Sequence, residues 1–264
     1  MAVRRRAPDD SVSLWTRRPE SVRTVQEIFP ECRVSSNLED ATRDAAVVVL
    51  CTSPESIQSI GRRLPDLLPS EAVVTDAGSI KCGIVECLDG AFAGRFVGAH
   101  PMAGSEQSGL TAAHSDLFEN AVCILTPTGK SLPRAVATVR DFWRMAGCRT
   151  VEMSPEDHDR AIATVSHLPH ATAAALMNAA SASGADVPAL AGGGFRDTTR
   201  IAAGSPGMWT EILAGNAANI STSIDSLISG LQELQAALRA GDHRAISTFL
   251  EDASAARQKL RHKS

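Results

Sequence analysis

The sequence predicts a doubly wound α/β domain followed by an all-α domain. Two features carry this prediction. Short β-branched apolar runs alternate with helical stretches through the first half of the chain, and from Ser154 onward the pattern changes to long, alanine-rich helical periodicity. We therefore expect an α/β domain over residues 1–154 and a helical domain over residues 155–264.

The strands of the first domain are predicted from apolar runs that are continuous rather than alternating. These runs lie at 11–15, 45–51, 72–75, 95–99, 121–125 and 150–152, and helices are predicted near 20–28, 53–68 and 132–146. Continuous runs suit strands that are buried on both faces of a parallel sheet. The alternation of strand and helix is typical of a doubly wound fold.

The second domain opens with a clear helix start. Ser154 suits the N-cap, Pro155 suits the first helical position, and acidic residues follow in the first turn. The helical periodicity is then interrupted at 183–184, 192–194 and 204–206 by glycine, serine and proline.

The last predicted helices, 208–239 and 243–260, are long and amphipathic. Their apolar stripe is longer than one small domain can cover, which indicates an interface with a second copy of the chain. We therefore expect a homodimer.

Composition argues against several classes of protein. A chain of 264 residues with 44% hydrophobic residues can fold around its own core. The net charge of -4 and the pI near 6.0 provide no basic field to attract nucleic acid or an acidic membrane. No apolar run reaches the roughly 20 residues that span a bilayer, and the N-terminus lacks the apolar region of a signal peptide. We expect a cytoplasmic protein that binds neither nucleic acid nor membrane.

The cysteine pattern is typical of reduced, structural residues. Six cysteines are scattered without a CxxC pair, and several lie in apolar segments where cysteine behaves as a small hydrophobe. Tyrosine is absent, so no phenol can serve as an acid, a base or a hydrogen-bond donor.

The usual opening of a dinucleotide-binding domain is missing from this sequence. Such a domain begins with a strand, a GxGxxG turn and a helix whose N-terminus receives the pyrophosphate. Here residues 1–8 read as the end of a helix and run directly into the strand at 11–15. We expect that the natural start lies upstream and that the sheet has its first, normally central, strand missing. A decayed or repurposed relative of such domains is the alternative.

The residues after the first predicted strand bear on the choice of cofactor. An acidic residue at this place would bind the ribose hydroxyls of NAD. Thr16, Arg17 and Arg18 instead offer a hydroxyl and two guanidinium groups, which favour the 2′-phosphate of NADP. An exposed turn with solvated arginines is the alternative, so NADP is favoured and NAD stays open.

Two further strand ends are candidates for cofactor contact, because ligands of doubly wound sheets bind at the carboxyl ends of the strands. The candidates are Cys51, Thr52 and Ser53 after one buried run, and Asp76 and Gly78 after the next. Ser79 follows directly, and capping of the next helix is its alternative role.

The segment GAHPMAGSEQSG at 98–109 places one histidine among small residues, directly after a predicted strand. The near-neutral pKa of histidine makes His100 a natural proton acceptor. A histidine with a purely structural role is the alternative.

Two segments of the helical half carry further polar residues. In DHDRAIATVSHLPH, Asp159, Ser166 and His170 fall at helical or near-helical spacing. Metal ligation by His167 and His170 is a competing idea, but no clean set of three or four ligands accompanies them, and we predict no metal.

The second of these segments, at 192–202, leads from a glycine run into Arg196 and Arg200. They are four residues apart and so share one helix face, with Asp197 nearby as a partner for one of them. The other arginine is available to bind a carboxylate through two parallel hydrogen bonds.

Together these segments carry a resemblance to a family. TDAGSIK, GAHPMAGSEQSG, HDRAIATVSHLPH and GGGFRDTTRIAAGSPGMW, in this order, strongly resemble the prephenate and arogenate dehydrogenases of tyrosine biosynthesis. The resemblance runs from about Ser11 to the C-terminal helices. It implies an N-terminal Rossmann-like domain, a C-terminal helical domain that dimerises, and NAD or NADP as the cofactor.

The resemblance also implies roles for single residues. His100 is expected to be the catalytic histidine that hydrogen-bonds the ring C4 hydroxyl, with Ser79 orienting it. Arg200 is expected to pair with a substrate carboxylate. Further substrate-binding or gating positions are matched by His170, Ser166 and Asp159.

The implied reaction is an oxidative decarboxylation of prephenate or arogenate. Hydride leaves ring C4 for the nicotinamide as His100 accepts the hydroxyl proton, and loss of CO2 completes an aromatic ring. Two alternatives stay open. One is a catalytically silent homologue that binds a dicarboxylate or pairs with another subunit. The other is a dehydrogenase for a different small hydroxy acid, which fits the Rossmann-like half but not the combined His100, His170 and Arg200 segments.

Overall fold

The computed structural model describes residues 1–104, 109–110, 113–184 and 186–261. The chain separates into two compact units, Met1–Ala217 and Ala218–Ser264. The first unit contains the sheets and the second is helical. Within the described residues, no helix is both long and apolar enough to cross a membrane.

The strands of the first unit form two hydrogen-bonded sheets in the described part of the chain. They lie at Ser13–Trp15 (β1), Arg33–Ser35 (β2), Val47–Leu50 (β3), Val73–Asp76 (β4), Phe96–Pro101 (β5), Val122–Thr126 (β6) and Arg149–Glu152 (β7). β1 pairs with β2, and the second sheet has the order β3-β4-β5-β6-β7. The pairs are parallel except β5 with β6, which is antiparallel. The carboxyl ends of β3, β4 and β5 therefore share one edge of the sheet.

The helices of the first unit flank these strands and continue beyond them. Those of the α/β part are Ala2–Arg6 (α1), Ser21–Ile28 (α2), Leu38–Thr42 (α3), Pro54–Gly61 (α4), Cys82–Leu88 (α5) and Pro133–Ala146 (α6). Those that follow are Pro155–Ile162 (α7), Leu168–Ala182 (α8), Val187–Leu190 (α9), Gly193–Thr199 (α10), Pro206–Gly215 (α11), Ala217–Ala240 (α12) and His243–Arg261 (α13). A π-helical turn, Ala163–His167, joins α7 to α8, and a 3₁₀ turn, Arg200–Ala203, follows α10.

The predicted strands are confirmed, each within two residues at either end. Two short elements, β2 and α3, were not predicted because they lack a long apolar pattern. α3 is stabilised by a local polar contact, because the Asn37 side chain accepts hydrogen bonds from the amides of Glu39 and Asp40 and so caps the helix.

The helix predicted over 53–68 ends early, at Gly61. At this residue α4 approaches α5 closely, since a Cβ built on Gly61 would lie 2.6 Å from the Leu88 side chain. Apolar residues beyond the helix, including Leu64 and Leu67, pack on the same core. They continue the apolar spacing of α4, which is why the predicted helix is too long.

The prediction of one helix over 208–239 is wrong, because two helices, α11 and α12, occupy this region. The chain leaves the helical conformation at Asn216, where φ is -124° and ψ is 28°. The Asn216 side chain donates a hydrogen bond of 2.7 Å to the Asp159 carbonyl. A tertiary hydrogen bond thus accompanies the break between the two helices.

The core lies on both faces of the main sheet. Val74 packs in a cluster with Ile57, Ile84 and Leu88 from α4 and α5. The adjacent Val73 points to the opposite face and packs in a cluster that includes Trp143 of α6. All four residues of β4 are buried, as expected for a strand covered by helices on both sides.

Candidate active site

His100 lies near the end of β5, and only 7% of its surface is exposed. Its Nδ1 is 2.9 Å from Nε2 of His158, a residue of α7. The two rings meet edge to face, with centroids 5.1 Å apart. Burial lowers the pKa of His100 well below its ordinary value, with additional contributions from His158 and from the Lys81 ammonium. His100 is therefore neutral at pH 7 and has one ring nitrogen able to accept a proton.

His158 connects His100 to a buried carboxylate. Its Nδ1 is 2.7 Å from Oδ1 of Asp159, and its side chain is fully buried. Burial also lowers the pKa of His158. Histidine and aspartate are adjacent in the sequence, so α7 delivers both groups to this place.

Asp159 is held by the start of α5 as well. The backbone amide of Lys81 donates to Oδ1 at 2.7 Å, and that of Cys82 donates to Oδ2 at 2.9 Å. Burial acts to raise the pKa of Asp159, but the hydrogen bonds from His158 and the two amides outweigh it and lower the pKa. Asp159 was predicted to be a substrate-binding or gating residue. It is buried, 1% exposed, next to His158, and its role toward substrate stays a prediction.

A second buried carboxylate lies under β5. Asp76, at the end of β4, forms an ion pair with Nζ of Lys81, and both side chains are fully buried. Lys81 Nζ also donates to the Ala99 carbonyl at 2.8 Å, and the Ala99 amide donates to Asp76 Oδ1 at 3.1 Å. Both charges thus position the strand that carries His100. Asp76 was predicted to contact cofactor. Its oxygens bind the Gly78 amide, the Ala99 amide and Lys81, and contact with the cofactor stays a prediction.

Gly78 accompanies Asp76 in a tight turn. Its amide donates to Asp76 Oδ2 at 2.9 Å. A Cβ at this position would lie 2.7 Å from Ile84 and 2.9 Å from the same carboxylate oxygen. Close approach of the backbone therefore requires glycine here.

Two more buried histidines follow His158 along the chain. His167 lies in the π-helical turn, and its Nδ1 is 3.2 Å from Nδ2 of Asn216. Burial lowers its pKa to about 4. A π-helical turn changes which side chains face one side of a helix, and such turns are frequent at functional sites.

His170 stacks on the indole of Trp209 from α11, with ring centroids 3.5 Å apart and an angle of 8° between the planes. Its Nδ1 is buried and has no hydrogen-bond partner among the described residues. Gly204 lies against this pair, since a Cβ there would be 2.6 Å from the indole nitrogen.

The two predicted serines occupy less buried places. Ser79 is half-buried in the turn between β4 and α5, and Ser166 is half-buried in the π-helical turn. The alternative role of Ser79 as a helix cap is not realised, because Asp159 binds the first amides of α5 in its place.

Arg200 is the exposed first residue of the 3₁₀ turn after α10. It lines a cavity of about 670 Å³ bounded by α8, α9 and α10, together with Phe195, Arg196 and Thr199. The Nε of Arg196 donates to the Ala191 carbonyl at 3.2 Å.

The other residues predicted to bind cofactor lie at the ends of β1 and β3. Arg17 and Arg18 are exposed after β1, and the Thr16 amide donates to the Ser35 carbonyl of the neighbouring strand. Cys51, Thr52 and Ser53 follow β3, with Ser53 at the N-cap of α4. No group of three or more His, Cys, Asp or Glu residues in the described part of the chain could hold a metal ion.

Several site residues were missed by the sequence analysis. They are His158, Lys81, Trp209 and Asn216. His158 lies in the quoted DHD triplet, but a histidine between two acids on a helix looks solvent-exposed. The signal that identifies it is tertiary, since its partner His100 is 58 positions away.

Comparison with known proteins agrees with this architecture. Residues 1–152 match the family model of the prephenate dehydrogenase nucleotide-binding domain, and residues 154–252 match that of the prephenate dehydrogenase dimerization domain. The chain belongs to the prephenate dehydrogenase family. A cyclohexadienyl dehydrogenase from Zymomonas mobilis is 30% identical over 98% of this chain and 90% of its own length.

Two solved members of the prephenate dehydrogenase family share the fold. One is prephenate dehydrogenase from A. aeolicus in complex with hydroxyphenyl propionate and NAD+, with 30% identity, a TM-score of 0.91, and coverage of 98% of this chain and 92% of that one. The other is arogenate dehydrogenase from Synechocystis, with 28% identity, a TM-score of 0.80, and coverage of 98% and 94%. The expected resemblance and the Rossmann-like plus helical fold are thereby confirmed.

Proposed function

We propose that this protein oxidises prephenate or arogenate with NAD+ or NADP+ and releases CO2, giving 4-hydroxyphenylpyruvate or tyrosine. The observation that carries the proposal is a buried, neutral His100 at the carboxyl end of a sheet strand, linked through His158 to a buried carboxylate. Membership of the family supports the same reaction. The named activities of the relatives support both substrates.

His100 acts in this proposal as the group that holds the hydroxyl proton. Its low pKa keeps a ring nitrogen free at neutral pH, so the base is ready before the substrate binds. Neutrality also matters electrostatically. A positively charged ring here would oppose loss of a hydride from the substrate ring.

Arg200 supplies the charge that a substrate carboxylate needs. It borders a cavity large enough for a small organic acid, and guanidinium groups bind carboxylates through two hydrogen bonds. His170 and Ser166 are assigned to substrate contact as well. The stack of His170 on Trp209 supplies a flat, rigid surface for a ring-shaped substrate.

The carboxyl ends of β1 and β3 are assigned to the dinucleotide. Arg17 and Arg18 fit the phosphate chemistry of this group, because both are exposed and neither forms an ion pair with a described residue. When bound, the nicotinamide supplies the acceptor for the hydride that leaves C4. Thr16, Arg17 and Arg18 favour NADP, and Cys51, Thr52, Ser53 and Gly78 complete the proposed contact set. Asp76 is included in this set because it holds the turn that carries Gly78.

We also propose a division of the chain into two functional parts. Residues 1–154 form the cofactor-binding part, and residues 155–264 form the substrate-binding and dimerisation part. Exposed apolar side chains on α12 and α13, including Leu231, Leu238 and Leu250, support a homodimer.

The test is a spectrophotometric assay of the purified chain with each of the two substrates and each of the two cofactors. We expect reduction of nicotinamide only when prephenate or arogenate is present, with a higher kcat/KM for NADP+ than for NAD+. Arg17→Ala combined with Arg18→Ala should raise KM for NADP+ and leave KM for NAD+ nearly unchanged. Arg23→Ala, an exposed arginine paired with Glu27, is the matched control.

Three results of this assay would count against the proposal. Absence of activity in all four combinations, with binding of the acids retained, would support the silent homologue. Activity with another small hydroxy acid alone would support a different dehydrogenase. If the double substitution left KM for NADP+ unchanged, the two arginines would not belong to the cofactor site.

A further inference from the structure

The hydrogen bonds from Asp159 through His158 to His100 have only one consistent direction. Asp159 is ionised, because its pKa is lowered, so its Oδ1 can only accept. His158 Nδ1, 2.7 Å away, must therefore carry the proton and donate it. His158 is neutral, so its other nitrogen, Nε2, has a lone pair and no proton.

This direction fixes the tautomer of His100. Its Nδ1 lies 2.9 Å from the unprotonated Nε2 of His158, so Nδ1 must be the donor. Neutral His100 carries only one ring proton, and that proton is therefore on Nδ1. Nε2 of His100 is left unprotonated, as a base must be.

Other nearby charges do not compete for this assignment. Among the described residues, the charged or titratable side chains that act on the pKa of His100 are Lys81, Asp159, His158 and His167. Lys81 is committed to Asp76 and the Ala99 carbonyl, and His167 has its Nδ1 at Asn216. The remaining oxygen of Asp159 accepts from the Cys82 amide. Among the described residues, His158 is therefore the group that hydrogen-bonds the inner nitrogen of His100.

We propose that His158 is a positioning residue that holds His100 in the Nδ1-protonated tautomer and so prepares Nε2 to take the substrate proton. The inference rests on the proposed function for its catalytic consequence, but the tautomer itself is a property of the protein without ligands. Asp159 acts through His158, because its charge sets the direction of both hydrogen bonds.

The proton accounting of the reaction shows why this arrangement is useful. As C4 gives up its hydride, the O–H bond at C4 breaks and its proton moves to Nε2 of His100. The carbon–carboxylate bond then breaks, its electron pair enters the ring, and the oxygen recovers the proton as the ring becomes aromatic. His100 holds the proton only between these events. While it does, the ring is a cation that donates to His158, and the Asp159 charge stabilises it.

The direct test is ¹⁵N NMR of the histidine rings in the 264-residue, ligand-free protein at pH 7. The signals of His100 are assigned by their loss in His100→Asn. We expect a pyrrole-type Nδ1 and a pyridine-type Nε2. A protonated Nε2 in neutral His100 would overturn the proposal, and this reading does not depend on enzymatic activity.

Two substitutions test the consequence for catalysis. In His158→Gln, the amide oxygen can replace Nε2 as the acceptor for His100, whereas His158→Leu offers no acceptor. We expect His158→Leu to lower kcat by roughly 10- to 100-fold, the effect of removing an outer partner that orients a functional histidine, with little change in KM. His158→Gln should recover most of this loss.

The outcomes separate this inference from the proposed function. A wild-type protein that is inactive on both substrates but shows Nδ1-protonated His100 would refute the function and retain the tautomer. Equal losses in folded His158→Gln and His158→Leu, with His100 still protonated on Nδ1, would refute the role of His158. If His158→Leu fails to fold, the wild-type spectrum still tests the tautomer of His100, and the activity of His158→Gln still tests the role of His158.

Discussion

A neutral histidine at the end of β5 is surrounded by groups that each restrict it. The Lys81 ammonium lies below the strand, and His158 occupies its inner nitrogen. Burial removes the water that would otherwise stabilise a charged ring. With Nδ1 protonated, as proposed, the ring nitrogen of His100 that can accept a proton is Nε2.

Replacing this base should be costly for turnover. We expect His100→Asn to lower kcat by roughly 10²- to 10⁴-fold, the range for removal of a positioned acid or base. KM for the cofactor should change little, because the asparagine keeps polarity without a titratable nitrogen. Steady-state kinetics at saturating cofactor give the answer, with the exposed His243→Asn as the control. Unchanged turnover in His100→Asn would refute the assignment.

Arg200 should act on substrate capture. Hydrogen bonds to charged groups contribute about 1.5–3 kcal/mol, so Arg200→Ala should lower kcat/KM for the organic acid roughly 10- to 100-fold. The Kd of the dinucleotide, measured by calorimetry, should stay within about twofold of wild type if the two ligands bind at separate places. Comparable losses for both ligands would instead indicate damage to the fold.

Single residues of the site differed in how visible they were in the sequence. His100 and His170 could be selected because small or apolar neighbours make a polar side chain conspicuous. His158 could not, since it lies between two acids on an amphipathic helix and only the fold shows that it is fully buried. Trp209 was hidden for the opposite reason, because an aromatic residue in a helix is usually a core residue.

At the scale of elements, the turn between β4 and α5 is the tightest part of the site. Asp76, Gly78 and Lys81 come together within six residues, and the first amides of α5 point at Asp159. α5 itself offers no side-chain cap, so its start depends on a carboxylate from α7. The element is short, and its geometry is defined by tertiary partners.

Glycine at position 78 should be essential for this turn. Gly78→Ala would place a methyl group 2.7 Å from Ile84 and 2.9 Å from Asp76, and we expect a loss of about 1–3 kcal/mol in the free energy of unfolding. Gly83→Ala, inside α5, is the matched control, because the nearest atom to its Cβ is 3.6 Å away. The control should be neutral or stabilising by about 0.5–1 kcal/mol. The measurement is urea unfolding of both variants. Equal midpoints for Gly78→Ala and Gly83→Ala would contradict this prediction.

Long or strongly apolar elements were predictable, and locally determined ones were not. The apolar composition of β3 and β4 predicts them directly. The start of α7 is predicted by Ser154, whose side chain accepts a hydrogen bond from the Asp157 amide, as expected for an N-cap. The break between α11 and α12 has no such signal. Asn216 is compatible with a helix, and its side-chain hydrogen bond to the Asp159 carbonyl is a tertiary contact that the local sequence does not reveal.

At the scale of the whole molecule, four buried histidines should make stability depend on pH. The pKa values of His100, His158, His167 and His170 are all lowered, that of His167 to about 4, with burial as the first cause in each case. In the unfolded chain these groups titrate near 6.5. Between about pH 7 and pH 4 the unfolded state therefore binds more protons than the folded state, and stability falls as pH decreases.

This dependence can be measured by urea unfolding at pH 7.5 and pH 5.0. We expect a lower midpoint at pH 5.0, and a smaller difference between the two pH values in His167→Gln. His243→Gln, at an exposed position, should keep the wild-type difference. A midpoint that stays constant or rises toward pH 5.0 would contradict the assigned direction. Carboxylates titrate mainly below pH 5, so they add little to the change in unfolding free energy between pH 7.5 and pH 5.0. The change over this range therefore reports on the histidines.

The position of Asp159 also limits how the two family domains can move. It belongs to the second matched region, yet two of its hydrogen bonds come from amides in the first. A hinge opening at residues 152–154 would separate this carboxylate from the start of α5 and remove two of its three hydrogen-bond donors, at a cost of up to roughly 3–5 kcal/mol. These hydrogen bonds hold the regions 1–152 and 154–252 together where a cleft between them would have to open. If His100 is the base, as proposed, substrate entry is expected to depend on local rearrangement around the pocket, and His100 keeps its hydrogen bond to His158 throughout.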